Sequence, residues 1–418
     1  MEFLFKHSCS SSKNQPKIPS MSNHLPQEIW AEILHRLPPK TLVKCTSVCK
    51  SWRSLITSTS FISLHRNHSP SSLLLQLCDE RAIPNFIHYS LRRDDPFLSE
   101  SSSLRLPSSF NREFSVVGIC HGLVCITSTE NCRDLIICNP SLRLHITLPE
   151  PSDYPSLHSA SVAFGFDSRN NDYKVIRIAC MHDDERYGVS SPEVEVYSLA
   201  SGFWNRNRVV AAPVSTLCCL GSYYSPHGFV DGKVHWGARR CMRVGGDDGW
   251  YYFVLSYNFE DDVFGEVMLP ETFACASSDM PNVTVIGGGD GKALTVYHVD
   301  GVMQCSCDIW VMKEYGVVGS WNKVFSFNLV GFDMELTSFG ILVTGMTAPL
   351  TPLCVRNGGE VLVLMDEAGS GCLYSVNLER NEITDCQIGG EEFTWYLYSG
   401  YYAESLVLLD KARGLVSY

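Results

Sequence analysis

Between Leu25 and His65 the apolar positions keep a helical period. Ile29, Ile33, Leu34 and Leu37 fall on one stripe, and Pro26 suits a first helical position, where its missing N–H has no partner to lose. Glu28 stands where the positive end of the helix dipole favours a carboxylate. Pro38 and Pro39 stop that helix. A second stripe holds Leu42, Cys45, Cys49, Trp52 and Ile56, flanked by Val43, Val48 and Leu55, and Phe61 with Leu64 predicts a last short helix. Residues 66–110 are Ser-rich, with strand-like runs at Leu73–Leu77 and Phe86–Leu91. From Phe114 onward the pattern changes to short β runs separated by turn residues.

Those β runs repeat. Hairpins centred on Pro140, Ser201, Asp261, Gly319 and Arg380 recur every 58 to 61 residues, and two further strands usually precede each one. Four strands per unit at a fixed spacing mark a β-propeller. Asp231-Gly232 and Asp290-Gly291 have the composition of tight hairpin turns, where positive φ favours glycine. An open ring would leave an unpaired strand edge, so the run Glu404–Leu409 is expected to pair with strands from residues 72–106 as a sixth blade. The expected fold class is α+β multidomain, a small all-α module of three helices followed by an all-β propeller. Its expected limits are a disordered tail over 1–22, the helical module over 23–65, a linker with closing strands over 66–111, the propeller over 112–409 and a tail over 410–418.

Charge divides the chain the same way. Lys and Arg number 33 against 45 Asp and Glu, a net −12, which argues against a general nucleic-acid coat. Residues 23–65 nevertheless carry five basic and two acidic side chains, leaving −17 on residues 66–418. The purely aliphatic stretches are only a few residues long and offer no membrane span of about 20 residues. The helical module is too small to hide so much apolar surface alone. A basic, greasy, under-sized knot on an acidic protein fits a docking surface for an acidic partner, or a cap packed on its own large domain. Eighteen cysteines lie scattered without a CxxC; Cys45 and Cys49 have helical spacing but no second ligand pair, so zinc is not expected. With no export-type segment, reduced thiols and a cytoplasmic or nuclear location, or both, are expected.

The helical module resembles the F-box. The resemblance rests on Leu25-Pro26, Glu28-Ile29, Ile33-Leu34, Arg36-Leu37-Pro38, Lys40, Leu42, Lys44-Cys45, Val48-Cys49-Lys50, Trp52, Leu55-Ile56, Phe61 and His65. It implies a knot that binds the Skp adaptor of a cullin–RING ubiquitin ligase. Carried over by position, Leu25, Pro26, Ile29, Leu34, Leu37, Pro38, Leu42 and Val48 would face the adaptor, and Ile33, Cys49, Trp52 and Leu55 would hold the helices together. Residues 112–409 resemble the plant F-box-associated, kelch-like interaction domain. That rests on Gly118-Ile-Cys-His-Gly-Leu-Val, Asn139-Pro-Ser, Phe164-Gly-Phe-Asp with Asp172-Tyr-Lys-Val, Val196-Tyr-Ser-Leu, His235-Trp236 and Ser320-Trp321. His121 departs from the family pattern, as do the acidic insert 181–193 and the Gly/Asp loop 244–250.

No catalytic constellation is expected. GxSxG and HExxH are absent, and the glycine run from Gly287 to Lys292 fails both ends of a phosphate loop. The expected protein is a non-catalytic substrate adaptor without cofactor or metal, held between a Skp-type subunit and an unidentified client protein, with no nucleic-acid or membrane partner. Candidate client-binding residues are the basic knot Arg239, Arg240 and Arg243 and aromatics expected in loops: Trp250, Tyr251, Trp395, Tyr396 and Tyr398, with Tyr223, Tyr224, Tyr401 and Tyr402 beside them. An F-box scaffold or inhibitor outside a ligase, and a propeller enzyme, stand as alternatives.

Overall fold

The computed structural model describes residues 26–79, 86–107, 114–128, 132–153, 157–181, 192–206, 219–220, 228–244, 247–270, 275–276, 282–286, 293–299, 306–328, 350–367, 370–380, 382–389, 395–409 and 416–417. Four short helices open it: α1 (Gln27–Leu34), α2 (Pro39–Cys45), α3 (Lys50–Ile56) and α4 (Thr59–His68). The expected second helix is therefore two. Cys49 leaves the helical backbone, and its Sγ accepts the Trp52 N–H at 3.4 Å, which starts α3 afresh. Ser58 begins α4 the same way, its Oγ accepting the Phe61 N–H at 3.3 Å.

The strands form six antiparallel sheets arranged as blades. After the helices come β1 (Ser71–Asp79), β2 (Phe86–Arg92) and β3 (Glu100–Ser103). Blade 1 is β4 (Phe114–Cys120), β5 (Leu123–Ser128), β6 (Leu135–Asn139) and β7 (Leu144–Thr147). Blade 2 is β8 (Leu157–Asp167), β9 (Asp172–Met181), β10 (Glu193–Ser198) and β11 (Phe203–Asn205). Blade 3 holds β12 (Cys219–Leu220), β13 (Gly228–Val230), β14 (Lys233–Val244), β15 (Asp247–Asn258), β16 (Val263–Met268) and β17 (Cys275–Ala276). Blade 4 is β18 (Asn282–Ile286), β19 (Leu294–Val299), β20 (Ser306–Met312) and β21 (Trp321–Asn328). Blade 5 is β22 (Leu350–Val355), β23 (Val361–Glu367), β24 (Ser370–Asn377) and β25 (Glu382–Gly389). Last come β26 (Trp395–Ala403) and β27 (Val416–Ser417).

The sixty-residue period is the outer hairpin of each blade. The turns 140–143, 199–202, 259–262 and 313–320 join β6 to β7, β10 to β11, β15 to β16 and β20 to β21, and β24 with β25 is the corresponding pair of blade 5. Mid-blade strands are largely buried because neighbouring blades cover both faces; β5 and β6 are buried at every residue. Outer β11 instead leaves Phe203 in solvent. Asp231 and Gly232 both have positive φ, 51° and 71°, as the tight β13–β14 turn requires.

The ring closes as a sixth blade, in the order β26-β1-β2-β3. The closing strand is not Glu404–Leu409 but Trp395–Ala403, in register from Ser71↔Ala403 to Cys78↔Trp395. Glu404–Leu409 leaves the sheet and is fastened to blade 1, where the Asn139 amide donates to the Ser405 carbonyl at 3.1 Å and the Val407 carbonyl at 2.7 Å. Gly122, with φ 75°, turns β4 into β5 directly beneath this segment; a Cβ there would press on the Ala403 carbonyl and lie 2.6 Å from the Ser405 Cβ. The expected tail is also partly structured, since Val416 and Ser417 in β27 extend blade 1 beside β7.

Polar staples hold blade to blade. Gln76 in β1 is fully buried and grips β4 at both ends: its amide donates to the Phe114 carbonyl at 3.0 Å, and its oxygen accepts the Val116 N–H at 2.8 Å. Trp204 donates to the Pro149 carbonyl at 2.7 Å and Trp321 to the Met268 carbonyl at 2.9 Å, the same joint made twice. Arg356 ties blade 5 to blade 6 through Asp94 at 2.8 Å, and Asp94 also accepts the Tyr401 hydroxyl at 2.6 Å. Lys174 joins blades 2 and 3 through Asp262 at 2.8 Å. Buried His235 donates from Nδ1 to the Gly228 carbonyl at 3.3 Å and accepts the Tyr315 hydroxyl on Nε2 at 2.8 Å. Burial above all holds its imidazole down at about 4.

Two outcomes follow from these joints. Gln76→Leu strands the buried Val116 N–H and leaves the Phe114 carbonyl to the Tyr89 hydroxyl at 2.9 Å, and should lower the unfolding free energy by about 1–3 kcal/mol in urea titration. His235 is neutral in the fold but titrates near 6.5 when unfolded, so its stabilisation is complete above about pH 6.5 and is lost as pH falls toward 4. Between pH 7 and pH 5 the loss should reach about 2 kcal/mol, and His235→Gln should flatten that part of the urea-derived pH profile.

Candidate functional site

The four helices pack around one apolar centre, and each sends one fully or nearly fully buried side chain into it: Leu34, Leu42, Ile56 and Phe61. Trp52, Leu55, Leu37 and Cys45 pack against this centre, and Trp30 meets Trp52 with ring centroids 5.1 Å apart. Buried His65 donates from Nε2 to the Leu37 carbonyl at 3.0 Å, which fastens α4 to the end of the first helical turn region; burial keeps its imidazole below the usual range.

The centre is completed from outside the helices. Leu406, fully buried, belongs to the same cluster, and Leu142 and Leu409 of the propeller pack against it. Ile62 on α4 reaches the core of blade 1 as well, in one cluster with Val407 and Leu408. The seam continues at the β4–β5 turn. His121, with φ 53°, sits edge-on to Phe166 at 4.6 Å and Tyr173 at 5.8 Å, held to about 4 by burial and by the nearby Arg66 of α4. The cap reading of the sequence is thus realised on one side of the small module.

The other side stays open. Ile29 is 43% exposed, Ile33 46%, Val43 37% and Val48 64%, with Pro26 and Pro38 exposed beside them. The cations Arg36, Lys40, Lys44, Lys50 and Arg53 are all exposed around this apolar strip. Arg53 also donates to the Thr46 carbonyl at 3.0 Å, holding the α2–α3 connection in shape. Exposed apolar side chains beside exposed cations have the composition of a protein interface.

Several expected positions move. Leu34 and Leu42, expected on the adaptor face, are core, because the centre needs one large side chain from α1 and one from α2. Ile33, expected in the core, is on the open face one position further round α1. Cys49 is exposed and serves as a cap; the Ser51 hydroxyl at 3.1 Å and the Trp52 N–H lower its thiol pKa. Leu37 is half-buried and Leu25 lies outside the described residues. Val43, taken as a shoulder of the core, joins the open strip.

The expected client residues lie in strands rather than loops. Trp250 and Tyr251 are in β15, opposite Arg240, Cys241 and their neighbours in β14, while Trp395, Tyr396, Tyr398, Tyr401 and Tyr402 are in the closing strand. Arg240 is committed within blade 3: it pairs with Glu266 at 2.6 Å and lies over the rings of Tyr251 and Phe253 at 4.7 and 4.8 Å. Arg239 is half-buried opposite Tyr252, and Arg243 stands opposite Asp248. Tyr398 packs in the core between blades 6 and 1, where burial raises its pKa, and the Tyr402 hydroxyl meets Ser141 at 2.7 Å. The side chains of Arg243, Trp250, Trp395 and Tyr396 lie outside the described residues, as do Tyr223, Tyr224 and residues 287–292. The seam residues Leu142, Leu406 and Leu409 are the ones the sequence pattern hides, since nothing local to them points to the helices.

Comparison with known proteins gives a consistent answer. The model of the F-box domain matches residues 22–64, and that of the F-box associated beta propeller domain matches residues 77–409. The F-box/kelch-repeat protein At3g23880 of Arabidopsis thaliana is 27% identical over 392 residues, 87% of this chain and 93% of that protein. The F-box protein CPR1 of the same plant is 30% identical over 317 residues, 72% of each chain. A putative F-box/kelch-repeat protein, At1g15680, also from Arabidopsis thaliana, is 31% identical over 357 residues, 82% of this chain and 81% of that one.

The two sides of α1 should separate in stability measurements. Leu34→Ala removes part of the shared centre and should cost about 2–5 kcal/mol, whereas Ile33→Ala on the open face should stay within about 0.5 kcal/mol of the parent in urea unfolding.

Proposed function

Since this chain belongs to the F-box proteins that carry an F-box-associated β-propeller, we propose that it is the substrate-recognition subunit of a Skp–cullin–F-box ubiquitin ligase. The observation that carries the proposal is the open strip of Pro26, Ile29, Ile33, Val43 and Val48 on α1, α2 and the α2–α3 connection, an apolar surface left in solvent beside a core that is otherwise filled. An acidic Skp-type adaptor would cover that strip and meet the cations around it. The propeller would hold the client protein.

The chemistry belongs to the assembled ligase. F-box proteins are in general non-catalytic adaptors, and this chain would act by holding two partners at once. Binding the client at one end of a stiff body and the adaptor at the other makes the client's lysine a near neighbour of the charged conjugating enzyme. The bimolecular encounter is replaced by a local effective concentration. The client would then be ubiquitinated and passed to the proteasome. Ring joints such as Gln76 and Arg356 keep the separation of the two ends fixed.

We place the protein in the cytoplasm, the nucleus or both. Buried thiols outside any disulfide, such as Cys125, Cys307 and Cys354, whose pKa values burial drives up, suit a reducing compartment.

Purified full-length protein should bind a purified Skp-type adaptor in calorimetry. Ile33→Asp with Val48→Asp, on the open face, should weaken binding by at least about a hundredfold while leaving the unfolding transition in place. Unchanged affinity in that double variant would remove the proposal.

A further inference from the structure

The open strip carries hydroxyls as well as apolar side chains, and they are not equivalent. In the α2–α3 connection the Thr46 hydroxyl is committed to the Val43 carbonyl at 2.6 Å, and the Ser51 hydroxyl meets the Cys49 Sγ at 3.1 Å. Ser47 is exposed between Val43 and Val48, and among the described residues its hydroxyl has no hydrogen-bond partner. Its backbone is fixed: the Ser47 N–H donates to the Lys44 carbonyl at 3.0 Å, and the Val48 N–H to the Cys45 carbonyl at 3.1 Å. Cations are held close to it. Arg53 reaches back from α3 to the Thr46 carbonyl at 3.0 Å, one residue from Ser47, while Lys44 and Lys50 stand exposed three positions to either side. The sequence holds no Asp or Glu from residue 33 to residue 78 to offset them.

We propose that Ser47 is a phosphorylation site whose modification closes the docking strip. The closing rests on the function proposed above; the modification does not. A serine kinase that reads basic residues finds Lys44 on one side of the hydroxyl and Lys50 on the other. The Ser47 Oγ attacks the γ-phosphorus of a nucleoside triphosphate, the bond from that phosphorus to the bridging oxygen breaks, and nucleoside diphosphate leaves. The hydroxyl proton passes to the base of the kinase. The product carries about −1.5 to −2 charges at pH 7 and three strong acceptor oxygens. Arg53 and the two lysines supply donors for those oxygens, so the phosphate is stabilised where it forms and the cations are no longer available to a partner. An acidic adaptor then meets like charge beside Val43 and Val48, and a hydrated group stands where apolar contact is needed. The two states exclude one another, so a bound adaptor also shields Ser47 from the kinase.

Full-length protein with phosphoserine installed at residue 47 tests the switch against a purified Skp-type adaptor in calorimetry. Its affinity should fall at least about thirtyfold below the parent. Ser47→Ala should stay within about threefold of the parent, and Ser47→Gln, which adds bulk without charge, should lose less than about tenfold. A phosphorylated chain that binds as the parent does would overturn the proposal, and so would a Ser47→Gln chain that loses as much as the phosphorylated one. The site itself is tested without reference to affinity. Parent chain incubated with ATP and the catalytic domain of protein kinase C, a basic-directed serine kinase, should take up phosphate at Ser47 by mass spectrometry. Prior addition of the adaptor should slow that uptake at least about tenfold. No phosphate at Ser47 would overturn the modification. A parent chain that binds no adaptor counts against the proposed function, and the kinase reaction then decides the modification alone.

Discussion

The antiparallel pairing of β26 with β1 is the contact on which the rest of the molecule depends. It joins the two ends of a long β region, removes the open strand edges that a broken ring would expose, and fixes where the chain goes next. What goes next is Glu404–Leu409, and its buried leucines enter both the core of blade 1 and the centre of the helices. One strand pairing therefore sets the ring and the seam. The rigidity of the whole follows from the same place, since Gln76 on β1 grips blade 1 and the Tyr401 hydroxyl on β26 accepts the Asn357 N–H of blade 5.

The helical module satisfies two demands at once. One side of α1 faces a partner within the chain and the other faces solvent, with Leu34 and Ile33 adjacent in sequence and opposite in fate. The division of charge fits this arrangement: the cations gather around the open strip, while the propeller carries the acidic excess. Arg240, which looks like a spare cation in the sequence, is absorbed by Glu266 and two aromatic rings. Aromatic residues in a propeller are first of all the filling between blades, and Tyr398 and Tyr402 serve that end here.

Much of this was legible beforehand, and the reasons for the rest are physical. The sixty-residue period survives in the text because every outer hairpin needs turn residues at the same place, as around Pro140, Ser201 and Asp261. The sixth hairpin, β2 to β3, stands out of step because its blade is assembled from both ends of the chain. The closing strand was misplaced by a few residues: Ser399 and Gly400 make the Trp395–Ala403 run resemble a loop, whereas the more aliphatic Leu406–Leu409 looks like a better strand. Helical periodicity put Leu34 and Ile33 on one stripe but could not say which partner each would meet, because the inner partner, Leu406, is remote in sequence. The break at Cys49 leaves no clear mark in the sequence because a cysteine is an uncommon cap.

The central claim is that one face of the helical module is reserved for an adaptor while the other is fastened to the propeller. A structure of the full-length chain bound to a purified Skp-type adaptor tests it most directly. The account predicts that Ile29, Ile33, Val43 and Val48 become buried beneath the adaptor, with Leu34, Leu42, Ile56, Phe61 and Leu406 still packed together. An adaptor seated on the blades, or helices swung away from Leu406 on binding, would contradict it.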